Sequence, residues 1–155
     1  MRHPFEEFEA EPEDAAGKPC YRLEEQVGFI LRRVHQRATD IFNTVMAGFD
    51  ITPRQFAALA KLHDLGPTSQ NQLGRLVAMD PVTMVGVAGR LTRRGLVRQS
   101  PDPGDARLVL LELTGEGRQL VAAMQAQGLE VSRRTLAPLT AEEAETFLRL
   151  LGKMT

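Results

Sequence analysis

"PDPGDARLVLLELT", residues 101 to 114, sets two prolines, a glycine and two aspartates in five consecutive positions, then one arginine and six apolar residues broken only by Glu112. Proline fixes φ and glycine admits left-handed backbone, so Pro101 to Asp105 reads as a tight turn and Leu108 to Leu113 as the strand leaving it. On the other side, Leu96-Val97-Arg98-Gln99 reads as a short strand, which makes a two-stranded hairpin with Arg107 at the exit of its turn. Asp105, two residues earlier, is placed to hold the guanidinium by a charge-assisted contact.

Working back from the hairpin, the chain carries a series of helix start and stop signals. Thr52-Pro53-Arg54-Gln55 supplies a capping hydroxyl, a proline at the first helical position and a reciprocal glutamine three residues after the cap. The helix it starts runs through Phe56, Leu59, Ala60 and His63 to the breaker Gly66-Pro67. Ser69-Gln70-Asn71-Gln72 repeats the capping box for a short helix to about Met79, and Asp80-Pro81 caps a third. In that third helix Met84, Val87, Ala88 and Leu91 keep the i, i+3, i+4, i+7 spacing of a buried face, and Gly95 stands where a C-cap glycine belongs. Residues 69 to 94 therefore read as helix, short turn, helix, and a hairpin directly behind such a pair is a wing.

The other face of the third helix shows Val82, Thr83, Val85, Gly86, Gly89 and Arg90, with no acid. Its bland reading is a helix with small residues toward solvent. Two interior glycines cost about 1 kcal/mol each relative to alanine, which that reading leaves unexplained. A surface of this kind can lie in a major groove, with valine and threonine methyls against thymine methyls and Arg90, Arg93 and Arg94 toward phosphates or a guanine edge. Ser69 and Gln70, at the start of the preceding helix, join the DNA-facing set. An arginine at a wing tip reaches a neighbouring minor groove, where narrow A·T tracts concentrate negative potential.

Composition sets the bounds. The chain has 155 residues, 43% hydrophobic and 25% charged, which suits one soluble domain with a real core. No run approaches the roughly 18 apolar residues of a spanning helix, and residues 1 to 18 carry six acids against Arg2 and Lys18. A cytoplasmic protein, on the nucleoid if it binds DNA, is expected. The single cysteine, Cys20, and three scattered histidines give neither an internal disulfide nor metal-ligand spacing. No cofactor is implied. The net charge of −1 hides an asymmetry, because residues 19 to 155 hold 17 basic and 14 acidic side chains. Arg90 to Arg107 alone holds five arginines against Asp102 and Asp105. Such a patch is either a solvated surface or a phosphate-binding face.

The flanks supply further helices. Leu23, Val27, Ile30, Val34, Ala38, Ile41 and Val45 follow helical steps over more than six turns, and a second stripe through Leu31, Ala38 and Phe42 widens the apolar face. Thr114 caps a long helix with Leu120, Val121, Met124, Val131 and Leu136, closed by Pro138. Thr140-Ala141-Glu142-Glu143 caps a last one with Ala144, Phe147, Leu148 and Leu151. These faces have no large helix left in the chain to cover them, which favours a homodimer.

With "SQNQLGRLVAMDPVTMVGVAGRLTRRGLVRQ", residues 69 to 99, and "DPGDARLVLLELTGEG", residues 102 to 117, the chain resembles the MarR family of winged-helix transcriptional regulators over Leu23 to Thr155. The Asp-x-Arg wing followed by L-T-x-x-G carries most of the specificity. The fold class implied is mostly α with a small β-hairpin wing: a winged helix-turn-helix plus a helical dimerisation module. The chain then divides into a flexible acidic arm (1–20), a dimerisation helix (21–48), the winged module (49–113) and carboxyl-terminal dimerisation helices (114–155). By resemblance an obligate homodimer binds a palindromic operator in double-stranded DNA, with the recognition helix in the major groove and the wing arginine in the minor groove. Many relatives place a serine and an arginine on that helix where this chain has Val82 and Gly86.

Family members usually bind a small effector where the first helix meets the winged module, shifting recognition-helix spacing by a change of populations. In "LRRVHQR", residues 31 to 37, His35 with Arg32 and Arg33, near Phe42 and Phe56, would suit an aromatic carboxylate or its acyl-CoA thioester. The plainer reading makes His35 an interface residue and the arginines solvated. Peroxide-sensing relatives carry a reactive cysteine in the first helix, where this chain has Gly28; Cys20 sits in the acidic arm, which disfavours a thiolate. An enzyme would need a G-x-S-x-G, a P-loop or an H-E-x-x-H, and the sequence has none. A dimeric winged helix that binds protein instead of DNA is the remaining alternative, separable by salt dependence.

Overall fold

The computed structural model describes residues 21 to 155; the expected acidic arm and Cys20 lie outside the described residues. The chain divides into two units, residues up to Gln36 and residues from Arg37 onward.

In the first unit Leu23–Glu25 form a 3-10 turn and Gln26 is extended (φ −77°, ψ 128°), so the first α-helix, α1 (Val27–Val45), is shorter than the apolar pattern predicts. Gln26 takes the place of a cap: its carbonyl accepts from Ile30 N, and its side-chain amide donates to the Arg22 carbonyl at 3.0 Å. Val27, Ile30, Leu31 and Val34 are exposed.

The second unit holds the core. α2 (Pro53–Leu65) opens on the expected capping box, with Thr52 Oγ1 accepting from Gln55 N and the Thr52 N–H donating to Gln55 Oε1 at 2.9 Å. Its inward face is Gln55, Ala58, Leu59 and Leu62, while Phe56 is half-buried and His63 exposed. Two residues, β1 (Thr68–Ser69), then precede α3 (Gln70–Leu76) and α4 (Pro81–Arg93). Of the expected second capping box only one half forms: Ser69 Oγ accepts from Gln72 N. α3 also stops before the expected Met79, because Ala78 turns left-handed at φ 52° and the Met79 and Ala78 amides bond back to Gly74 and Arg75 carbonyls. α4 buries Met84, Val87, Ala88 and Leu91 as the spacing predicts. It ends in the same motif with the residue type that suits it: Gly95 sits at φ 69°, its amide bonding to Thr92 O and that of Leu96 to Leu91 O.

The hairpin is β2 (Val97–Pro101) and β3 (Val109–Leu113), paired from Val97↔Leu113 to Pro101↔Val109. The sheet is three-stranded rather than two-stranded, in the antiparallel order β1-β3-β2, because Thr68 and Ser69 pair with Leu111 and Leu110. Leu111 and Leu113 point into the core with Val97. Thr114 caps α5 (Gly115–Leu136), whose Val121 and Met124 complete that core. Gly117 lies so close to the Leu96 carbonyl that a Cβ would collide with that oxygen. α6 (Ala141–Gly152) starts at the expected capping box of Thr140 and Glu143 and has no buried residue.

Candidate nucleic-acid interface

The amino-terminal end of α4 is fixed by Asp80, whose Oδ1 accepts from Thr83 N at 2.9 Å and whose Oδ2 accepts from the Thr83 hydroxyl at 2.6 Å. These bonds, the hydroxyl one foremost, hold the Asp80 carboxyl below its ordinary range. Thr83 thereby spends its hydroxyl on the cap. Next to it Val82 is 82% and Val85 56% exposed, values far above those of the same helix's core face. One turn on, the Arg90 guanidinium lies over Gly86, 3.5 Å from where a Cβ would stand, in ordinary contact distance along the helix. Arg90 and Arg93 are exposed at its end. The outward face of α4 thus combines methyl groups with cations and carries no acid after Asp80.

The wing turn is internally wired. Asp102 Oδ1 accepts from Gly104 N at 2.7 Å and Asp105 N at 3.2 Å, and the Asp102 and Leu108 amides close the loop onto Leu108 O and Asp105 O. From this frame Asp105 grips Arg107 through both oxygens, Nε to Oδ1 at 2.9 Å and Nη2 to Oδ2 at 2.8 Å, while the Arg107 amide also donates to Oδ1 at 3.1 Å. The bond from the Arg107 side chain, then that from its backbone, keeps the Asp105 carboxyl ionised below the usual range, and the aspartate raises the arginine in return. With 89% of its side chain exposed, the guanidinium is oriented yet open to a ligand. Beside it, Ser69, Gln70 and Asn71 line a polar cleft of about 200 Å³ with Arg107, Leu108 and Val109. β1 therefore joins the start of α3 to the wing, a link the sequence pattern does not reveal.

The MarR family model matches residues 51–109. The HTH-type transcriptional repressor NicR of Pseudomonas putida is 42% identical over 134 residues, which cover 86% of this chain and 85% of NicR. The chain belongs to the MarR family. Among solved members, BpsR of Bordetella bronchiseptica, whose DNA binding is regulated by 6-hydroxynicotinic acid, matches with a TM-score of 0.83 and 37% identity over 87% of this chain and 96% of that one. A cysteine-to-serine mutant of MarR from Escherichia coli, solved with operator DNA, matches with a TM-score of 0.79 and 26% identity over 87% and 99% of the two chains. These MarR-family relatives are transcriptional regulators, and the architecture is their winged helix-turn-helix.

Several candidate residues have other partners in this MarR-family chain. Arg94, expected toward a phosphate or a guanine, donates instead to the backbone carbonyls of Asp50 and, at 3.3 Å, Phe49. Phe42, expected to face an effector, is a core side chain, and its ring meets that of Phe56 edge-on at 5.7 Å. Phe56 also abuts Gly128, where a Cβ would stand 3.0 Å from its Cζ. Arg32, Arg33 and His35 are exposed in the first unit. The sequence reading also missed Arg98, which forms a cross-strand pair with Glu112 (Nη2 to Oε2 at 2.5 Å) and stiffens the base of the wing. The signal was available in their opposite charges, but it needs the register Arg98↔Glu112 to be read. Among the described residues no cluster of His, Cys, Asp and Glu could hold a metal ion, and no helix is long and apolar enough to cross a membrane.

Proposed function

We propose that the protein is a ligand-responsive transcriptional repressor that binds a palindromic operator in double-stranded DNA as a homodimer. The observation that carries this reading is the exposed Arg107 guanidinium held by Asp105 at the tip of the wing, on the same module as the acid-free face of α4. In the proposed mode Val82, Thr83 and Val85 meet base edges and methyl groups in the major groove, and Gly86 adds no side chain between them and Arg90. Arg90 and Arg93 neutralise phosphates, while Ser69 and Gln70 approach the backbone from the start of α3. Arg107 enters the minor groove already oriented, so little side-chain entropy remains to be lost on binding.

Two copies supply the two-fold symmetry that a palindrome needs, with recognition helices about 34 Å apart. The dimer is supported by apolar side chains that the single chain leaves in solvent: Leu148, Leu150 and Met154 at the carboxyl-terminal end, and Val27, Ile30, Leu31 and Val34 in the first unit. The repressor role follows the likeness to NicR. The effector class, a small aromatic acid, follows the likeness to BpsR, and an acyl-CoA thioester of such an acid is the variant to be tested beside it.

The test is a titration of the pure protein onto DNA from its own upstream region at two salt concentrations. It is run with and without 6-hydroxynicotinic acid, other aromatic acids and their CoA thioesters. Specific binding that weakens steeply with salt and is relieved by one compound is expected. Binding that no compound relieves would remove the effector class, and salt-independent or absent DNA binding would favour a protein-binding module.

A further inference from the structure

We infer that Arg94 is a positioning residue, which fixes the carboxyl-terminal end of the recognition helix against the turn between α1 and α2 and makes no phosphate contact. It is drawn on the proposed reading of α4 as the helix that enters DNA. Arg94 is the residue at the C-cap of α4, immediately before the left-handed Gly95 that ends the helix. Its guanidinium spans two successive backbone carbonyls, those of Phe49 and Asp50, in the segment that follows α1. That segment is a 3-10 turn, Ala47–Phe49, closed by Asp50 in the left-handed conformation at φ 51°. Carbonyls at the end of such a turn lack intrahelical donors, and a planar fork of N–H groups meets two of them in one fixed geometry, which a flexible ammonium does not impose.

The Asp50 carboxylate stands 3.9 Å away and is almost wholly in solvent, so the ion pair adds little and the carbonyl bonds carry the contact. Both ends of the link are anchored. Met46 and Ile51 on either side of the turn are buried, and α4 is held by Met84, Val87, Ala88 and Leu91. Those apolar contacts are non-directional: they fix the depth of α4 and set no hydrogen-bonded register at its far end. Arg94 supplies a directional stop at that end. A side chain only 34% exposed and committed to two carbonyls would have to give both up to reach a phosphate.

The experiment compares wild type, Arg94→Ala and Arg94→Lys on the upstream fragment that the wild type binds and on a scrambled duplex of equal length, across a salt series. A positioning role predicts that Arg94→Ala folds, loses about tenfold in affinity for the specific fragment and keeps its affinity for the scrambled one, with an unchanged salt slope. Lysine does not restore the loss. A phosphate contact, lost from both protomers of the dimer, would instead weaken both duplexes, lower the slope by about 1.8 and be largely rescued by lysine, overturning the inference. A variant of lower melting temperature but wild-type specificity would show a merely structural contact and overturn it as well. If the wild type itself binds no fragment specifically, the DNA-binding reading fails first and takes this inference with it.

Discussion

At the scale of the residue, the Asp105–Arg107 clamp and the Asp80 cap were legible because each joins groups two or three positions apart, where local spacing determines contact. Arg94 was not: its carbonyl partners lie 44 and 45 residues away, and no property of an arginine's neighbours in sequence announces them. The clamp makes a graded prediction. Arg107→Ala should weaken operator binding by about tenfold or more with the oligomeric state unchanged, and Asp105→Asn should weaken it less, because the cation remains but loses its orientation. Fluorescence anisotropy on labelled operator decides the order; an Asp105→Asn variant equal to wild type would show that orientation contributes nothing. A second prediction concerns Glu130, whose carboxyl is held at about 2, against an ordinary 4.5, by hydrogen bonds from Arg133 and Arg134. A depressed carboxylate stabilises the fold above its unfolded pKa and loses that contribution as the pH falls toward its folded value. Acid unfolding followed by circular dichroism should therefore show less pH dependence between about 4.5 and 2 in Glu130→Gln than in wild type.

At the scale of the element, the helices announced themselves through caps and periodicity, and the errors fall at their ends. α3 was read too long because Ala78 is an ordinary helix former in sequence, yet it occupies the left-handed position that Gly95 fills at the end of α4. For an L-residue that conformation costs roughly 1 to 2 kcal/mol, whereas glycine raises the entropy of the unfolded chain by only about 0.4 to 1 kcal/mol. Ala78→Gly should accordingly stabilise the fold by about 0.5 to 1 kcal/mol, read as a raised midpoint of denaturant unfolding at unchanged slope. Gly117 gives the opposite case. Its Cβ would collide with the Leu96 carbonyl, a backbone atom also engaged by the Thr114 amide, so the neighbour has little room to yield. Gly117→Ala should cost about 1 to 3 kcal/mol in the same measurement. β1 escaped the sequence reading because two residues are too few to show alternation.

At the scale of the whole molecule, the sequence identified the winged module and left the effector residues unsupported. The proposed DNA-facing set could be drawn from the sequence because a recognition helix and a wing display their chemistry outward, in runs of exposed residues that a one-dimensional pattern can show. Phe42 could not be placed that way, because an aromatic side chain on a helical stripe serves a core and a ligand equally well, and only packing decides. The proposed homodimer makes the prediction proper to this scale. Leu148, 54% exposed, and Leu150, 47% exposed, are not needed for the core of a single chain. Replacing both with glutamate should leave the helical content intact, shift the sedimentation coefficient to that of a monomer and abolish tight operator binding. A double variant that sediments as wild type would place the dimer contact elsewhere.

The three-stranded sheet has a practical side. β3 is bonded along both edges, while the turn from Asp102 to Arg107 hangs beyond the last strand pair, with Pro103, Gly104 and Ala106 all in solvent. The tip of the wing is thus a place where cargo can be attached. A fluorophore attached through Ala106→Cys would ride beside Arg107 without touching the core, so that its signal would report directly whether the wing tip meets DNA as proposed and leaves it when an effector is added.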